Sequence, residues 1–160
     1  MSYNVTTAGM DNLTQMLEGL GDAAQGVASV GLYEGAGVMA DAVSRSVRDI
    51  DTEPFHYATG GKTRKPSPEE KALVEAAPAG VAKFRKTGTE VNTDVGLSNA
   101  GYGMLGSRLV PIPKIANAIN SGTSFMKKQP FFRKAVTRNK AAALAAIERG
   151  VLEKIEQMTK

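Results

Sequence analysis

The chain contains no cysteine, which excludes disulfides and thiolate metal centres, and its single histidine, His56, leaves too few imidazoles for a zinc site. It also lacks a long apolar run. The most apolar window, residues 23–43, is interrupted by Gln25, Glu34 and Asp41, whereas a membrane span needs about eighteen uncharged apolar residues. The opening MSYNVTTAGMDN has no basic segment followed by an apolar one, so no secretory signal is expected, and a cytoplasm-like compartment is. No metal, cofactor or membrane partner is expected.

What is present is a globular composition: 160 residues, 42% hydrophobic and 22% charged, which fits one domain over residues 1–160. The net charge of +4 conceals an asymmetry. Residues 1–53 carry eight acids and two bases, residues 54–124 five and nine, and residues 125–160 three and nine. Three readings of that split stand open: solvated helix faces, an acidic surface of one copy meeting a basic surface of the next, and nucleic-acid binding by the basic third.

Periodicity supplies the elements. Met10, Leu13, Leu17 and Leu20 share a helical face, so a first helix is expected over residues 11–20, with Asn12 and Gln15 as a capping pair and Gly21 ending or kinking it. A long helix is expected over residues 22–50, because Ala28, Leu32, Ala36, Met39, Val43, Val47 and Ile50 form a stripe, with Asp22 as N-cap. Gly26, Gly31, Gly35 and Gly37 lie inside it at about 1 kcal/mol each relative to alanine, so close approach of another helix is expected as compensation, within the fold or across a subunit boundary.

Residues 51–66, DTEPFHYATGGKTRKP, read as an extended basic loop with no periodicity. Ser67, Pro68 and Glu70 read as N-cap, N1 proline and capping-box acid of a short helix that Pro78 ends. EVNTDVGL, residues 90–97, alternates as a half-buried strand and pairs with residues 81–85 across a turn containing Gly88. Residues 109–113 read as an edge segment, since Pro111 and Pro113 bar a central strand. The last helix is expected from Gln129 or Pro130 to about Met158 on the stripe Val136, Ala143, Ile147, Val151, Ile155 and Met158. The fold class is therefore α+β: long N- and C-terminal helices packed on a small antiparallel sheet, with a long basic loop.

Three motifs suggest chemistry and fail. Gly101, Gly103 and Gly106 spell GxGxxG, but Pro111 and Pro113 follow too soon for the helix a dinucleotide site needs. Gly60-Gly61-Lys62-Thr63 mimics the end of a P-loop, yet His56 stands where the first glycine belongs and no apolar strand precedes it, so a solvated basic loop is expected. His56 with nearby Asp49, Asp51 and Glu53 has no nucleophile or metal beside it, so a loop histidine is expected and no enzyme.

The segment IANAINSGTSFMKKQPFFRKAV, residues 115–136, is the most informative. Gly122 is placed for positive φ after an apolar helix, Thr123 and Ser124 for satisfying free backbone groups, and Pro130 for fixing the first turn of the next helix. Phe131 and Phe132 are the anchors expected to fill the gap between this corner and the sheet, in the core or at an interface. Lys127, Lys128, Arg133 and Lys134 surround a helix start whose dipole already presents partial positive charge, at about 0.3–1 kcal/mol each, and Arg138 extends the same basic group. Such a group suits an acidic partner surface or a phosphate backbone.

Gly122, Thr123, Ser124, Pro130, Phe131 and Ala135, with Glu34-Gly35-Ala36, Val38 and the strand ending Val95-Gly96, resemble the tail-completion or neck proteins of lambdoid and related siphophages. The chain departs from them in having Asn120-Ser121 before the glycine and in its 51–66 loop. The resemblance implies a structural virion protein made in the host bacterial cytoplasm and located at the head–tail junction. There it would form a homo-oligomeric ring, six copies being the expected number, between the head stopper or connector protein and the tail terminator or tail tube protein. Genomic DNA would pass through the lumen without sequence-specific reading. On this reading the five cations dock a partner, and the loop bearing Phe55, His56, Tyr57, Lys62, Arg64 and Lys65 is an arm that orders on assembly. The alternatives are a tail terminator capping the tube and a small basic nucleic-acid-binding protein.

Overall fold

The computed structural model describes Tyr3–Asn4 and residues 11–88, 90–97 and 100–160. The elements run β1 (Tyr3–Asn4), α1 (Asp11–Glu18), α2 (Ala24–Ser46), α3 (Pro68–Glu75), β2 (Gly80–Val81), β3 (Arg85–Thr87), β4 (Glu90–Asn92), β5 (Asp94–Gly96), β6 (Tyr102–Leu105), β7 (Arg108–Pro111), α4 (Ile112–Ser121) and α5 (Phe131–Thr159). The fold is α+β, with small antiparallel sheets. The described chain divides into two compact units, one of Ala40–Gly80 and Gly96–Arg138, the other of Ser2–Met39, Val81–Val95 and Asn139–Lys160.

The second of these units is built on a seam between α2 and α5. Gly31 and Gly35 leave room for Ile147, Val151 and Ala143: a Cβ on Gly31 would lie 2.6 Å from Val151 Cγ2 and 2.7 Å from the Ile147 carbonyl oxygen. Gly150 answers from α5, where a Cβ would meet the Gly31 Cα at 3.1 Å. The expected compensation by a close helix thus holds for Gly31 and Gly35, but Gly26 and Gly37 have open space around them. Val27, Leu32, Ile147 and Val151 form the buried cluster, with Leu17, Leu20, Phe84, Val91, Leu144 and Ile155 packed around it.

Several element boundaries differ from expectation for local reasons. The first helix ends at Glu18, and Gly21 at φ 54° opens a 3-10 turn, Gly21–Ala23. Asp22 therefore lies inside that turn instead of capping α2. Met10 and the side chains of Asn12 and Leu13 lie outside the described residues. At its other end α2 stops at Ser46 and tightens into a second 3-10 turn, Val47–Asp49.

The hairpin of β3 and β4 pairs Arg85 with Asn92, Lys86 with Val91 and Thr87 with Glu90, so its arm lies further along than residues 81–85. Gly88 sits in its turn at φ 59°. The single strand expected over residues 90–97 breaks at Thr93, whose hydroxyl donates to the Ala82 carbonyl (2.8 Å). Beyond the break β5 is the middle strand of a second sheet, ordered β1-β5-β2.

In the other unit, β6 and β7 form a hairpin around Gly106 at φ 60°, in register Tyr102 with Pro111 and Met104 with Leu109. The expected edge segment is thus β7 of this hairpin, and it ends at Pro111 because α4 starts at Ile112 with proline in its first turn. The glycine-rich motif is strand β6 with its flanking turns, a strand that periodicity missed. The predicted capping box of α3 is present: Glu70 N–H donates to Ser67 Oγ (3.2 Å) and Ser67 N–H to Glu70 Oε2 (2.7 Å). Lys71 closes the turn after α2, its ammonium donating to the Arg48 (2.7 Å) and Ile50 (3.0 Å) carbonyls.

Candidate functional site: a polar corner carrying unpaired cations

The corner between α4 and α5 is made by backbone. Gly122 ends α4 at φ 78°, ψ 164°, with its N–H on the Ala118 carbonyl (2.9 Å). A side chain there would sit 3.0 Å from Lys128 Cβ and 3.2 Å from the Lys128 nitrogen, so glycine is required by both conformation and space. Thr123 Oγ1 accepts from Phe125 N–H (3.3 Å) and Met126 N–H (2.9 Å), as expected for a turn residue. Ser124 is exposed. The return into α5 is fixed by Gln129 N–H on the Ile119 carbonyl (2.8 Å) and by Phe132 N–H on Asn120 Oδ1 (3.1 Å). Pro130 sits one residue before the helix, which begins at Phe131.

Phe131 and Phe132 are buried, Phe132 to 1% exposure, with ring centroids 6.5 Å apart. Both rings belong to the buried core of the chain.

The loop at residues 51–66 is clamped to this corner. Arg64 N–H donates to the Phe125 carbonyl (2.9 Å) and Lys127 N–H to the Arg64 carbonyl (2.7 Å), a parallel bridge between loop and corner. The Arg64 guanidinium grips both Glu70 oxygens, at 2.6 and 2.7 Å, and also donates to the Lys65 carbonyl (2.9 Å). Both side chains of this pair are about as hidden as core leucines, 6% exposed each. Burial pushes the Glu70 carboxyl up, but the Arg64 hydrogen bonds and charge, with the Ser67 N–H, outweigh it and hold the group below the usual carboxylate range. Lys65 N–H donates to Glu53 Oε1 and its ammonium to Asp51 Oδ2, both 2.5 Å, while Gln129 takes the Asp51 backbone with both ends of its amide, at 2.7 and 2.8 Å. That Lys65 hydrogen bond is the main cause of a lowered Asp51 carboxyl.

This corrects the expectation of a wholly solvated basic loop. Arg64 is a buried structural cation, and Lys65 is pinned. Phe55, His56, Tyr57 and Lys62 stay exposed at the tip, where Phe55 lies 4.8 Å under the Arg64 guanidinium and meets Tyr57 edge-on at 5.3 Å. His56 lies 3.1 Å from the Pro54 carbonyl and 3.7 Å from Glu53 Oε1. Among the described residues no group of acids and histidine is arranged to hold a metal ion, and no helix is long and apolar enough to cross a membrane.

Lys127, Lys128, Arg133, Lys134 and Arg138 are all exposed, and among the described residues none joins an ion pair. No aspartate or glutamate occurs between Val95 and Ile147, and of the five only Lys127 is among the charges that lower a described acid, the Asp51 carboxyl. No protein-family model, curated protein or solved structure matches the chain. Its function has to be argued from its own geometry.

Proposed function

We propose that the chain is a structural phage virion protein that forms a ring at the head–tail junction, joins the head stopper to the tail and lets DNA pass. The observation that carries this reading is the set of five exposed cations around the first turns of α5, none of which joins an ion pair among the described residues. Cations at that end oppose the helix dipole, and Lys134 and Arg138 repel each other at four-residue spacing, so local stability does not explain them. An acidic partner surface does. The backbone beneath them is fixed by Gly122, Thr123, Gln129 and the Arg64 bridge, so the charges are presented with little ordering cost on docking. The resemblance of the Gly122–Ala135 residues to neck proteins supports the same role. The mechanism is adhesion by complementary surfaces and uses no cofactor.

Negative-stain microscopy of particles made without this gene product is the direct test. Separate filled heads and finished tails are expected, restored to joined particles by the wild-type chain but not by one with these five cations changed to glutamine. Complete joined particles without the protein would refute the role.

The acid-free run from Val95 to Ile147 also favours a second reading, a small basic nucleic-acid-binding protein. Under the neck reading the free chain binds duplex DNA weakly. Tight, strongly salt-dependent binding that falls when Arg133, Lys134 and Arg138 are neutralised would favour the second.

A further inference from the structure

The β6–β7 hairpin is a sheet of two strands, and its hydrogen-bond pattern leaves the β6 edge open. Leu105 and Arg108 close a two-residue turn, so they exchange both of their backbone hydrogen bonds. Alternation makes Gly103 and Val110 the next bonded pair, then Gly101 and Ile112, and the Ile112 N–H does donate to the Gly101 carbonyl (3.0 Å). Tyr102 and Met104 therefore turn their N–H and C=O groups away from β7. Among the described residues no hydrogen bond engages those four groups, and both residues are exposed, Tyr102 to 69% and Met104 to 57%. The other edge is blunted, because Pro111, across from Tyr102, has no N–H to offer.

Outward donors and acceptors in this spacing are met by an extended chain laid alongside. The packing behind β6 says that this chain is a lone strand. α3 covers the reverse of β6, where a Cβ on Gly103 would lie 2.5 Å from Leu73 Cδ2, and α4 packs against β7. Edge-to-edge pairing with β6 of a second copy would oppose Tyr102 to Met104, and opposed residues share a face, so both α3 helices would lie on one side. They would stand about one strand spacing apart, roughly 4.8 Å, whereas packed helices need about 8–10 Å. An arm with no helix behind it meets no such obstacle. Two of its residues would stand opposite Tyr102 and Met104, on the face that also carries Leu109, so apolar side chains there extend an apolar row.

We propose that the β6 edge takes an extended segment of a partner protein as an antiparallel third strand, with apolar residues at the alternate positions opposite Tyr102 and Met104. This goes beyond the neck reading and does not depend on it.

Selection of random ten-residue linear peptides on the immobilised full chain is the test. The selected peptides should carry apolar residues two positions apart and slow exchange of the Tyr102 and Met104 amide protons at least about tenfold. N-methylation of those apolar residues should weaken binding at least about tenfold, and of the intervening ones less than about twofold, because only the former point their N–H at β6. Met104→Pro removes an outward N–H and no ladder bond, as Pro111 already does across the hairpin, and should cost the peptides at least about tenfold in affinity. Peptides that bind Met104→Pro as tightly as the wild-type chain, or that tolerate methylation of either set, would overturn the proposal, as would failure to select any. So would a full chain that sediments as a dimer at about 100 µM and as a monomer with Met104→Pro, since the occupant would then be a second copy.

Discussion

The α2–α5 seam and the Gly122 corner are both places where backbones come close, yet they are held by different physics. At the seam Gly31, Gly35 and Gly150 remove side chains so that Ala143, Ile147 and Val151 fit, and the contact is apolar. At the corner the close approach is polar: Arg64, Glu70, Gln129, Asn120 and Thr123 satisfy backbone and one another. A steric seam is indifferent to pH and intolerant of volume. A polar clamp tolerates little loss of a partner, because the group left behind stays buried and charged.

The largest effect should therefore come from Arg64→Ala, which strands Glu70 in a buried site and should cost about 3–5 kcal/mol by urea unfolding. Arg64→Met with Glu70→Leu should cost less than the single change, and a double variant as unstable as Arg64→Ala would show that the ion pair stabilises beyond its own desolvation. The same clamp predicts acid sensitivity. Because the folded Glu70 carboxyl is held low, its contribution is present above the unfolded value of about 4.3 and is lost as pH falls through the lower folded value. Glu70→Gln should flatten that part of the stability–pH curve.

Next comes Gly35→Leu. Any Cβ there overlaps Ile147 and sits 2.9 Å from the Ala143 carbonyl oxygen, so a loss of about 1–3 kcal/mol or more is expected with no change in pH dependence. Gly122→Ala should cost about 1–3 kcal/mol through its positive φ and its contact with Lys128. The smallest effect has the opposite sign: Gly37→Ala, with open space around it, should raise stability by about 0.5–1 kcal/mol in thermal unfolding. Loss of stability at Gly37 would mean that the seam extends further along α2.

The two regions also differed in how readily the sequence revealed them. The seam was readable because stripe and glycines share one helical period, and the capping box of α3 because its partners stand three residues apart. Periodicity could not show that Gly26 and Gly37 miss the seam, since facing is decided by α5. The Arg64–Glu70 pair was hidden because Arg64 lies in an aperiodic loop beside Lys62 and Lys65, where a buried cation looks like its solvated neighbours. Composition hid β6 too, since three glycines within six residues give no strand signal. The break at Thr93 comes from one hydroxyl bond to Ala82, which an alternating pattern does not record. Of the candidate site, the corner residues and the exposed cations were legible from Gly122, Thr123 and the lysine run, whereas the clamp that steadies them was not.

The bridge through Arg64 has a consequence for how the chain meets a protease. Trypsin needs several residues drawn out in extended form around the basic residue it cuts. Arg64 has its N–H, carbonyl and side chain all engaged, and Lys65 is tied at both its backbone and its ammonium, whereas Lys62 stands exposed in the adjoining turn. Of three basic residues within four positions, brief digestion of the folded protein should nick after Lys62 and spare the other two.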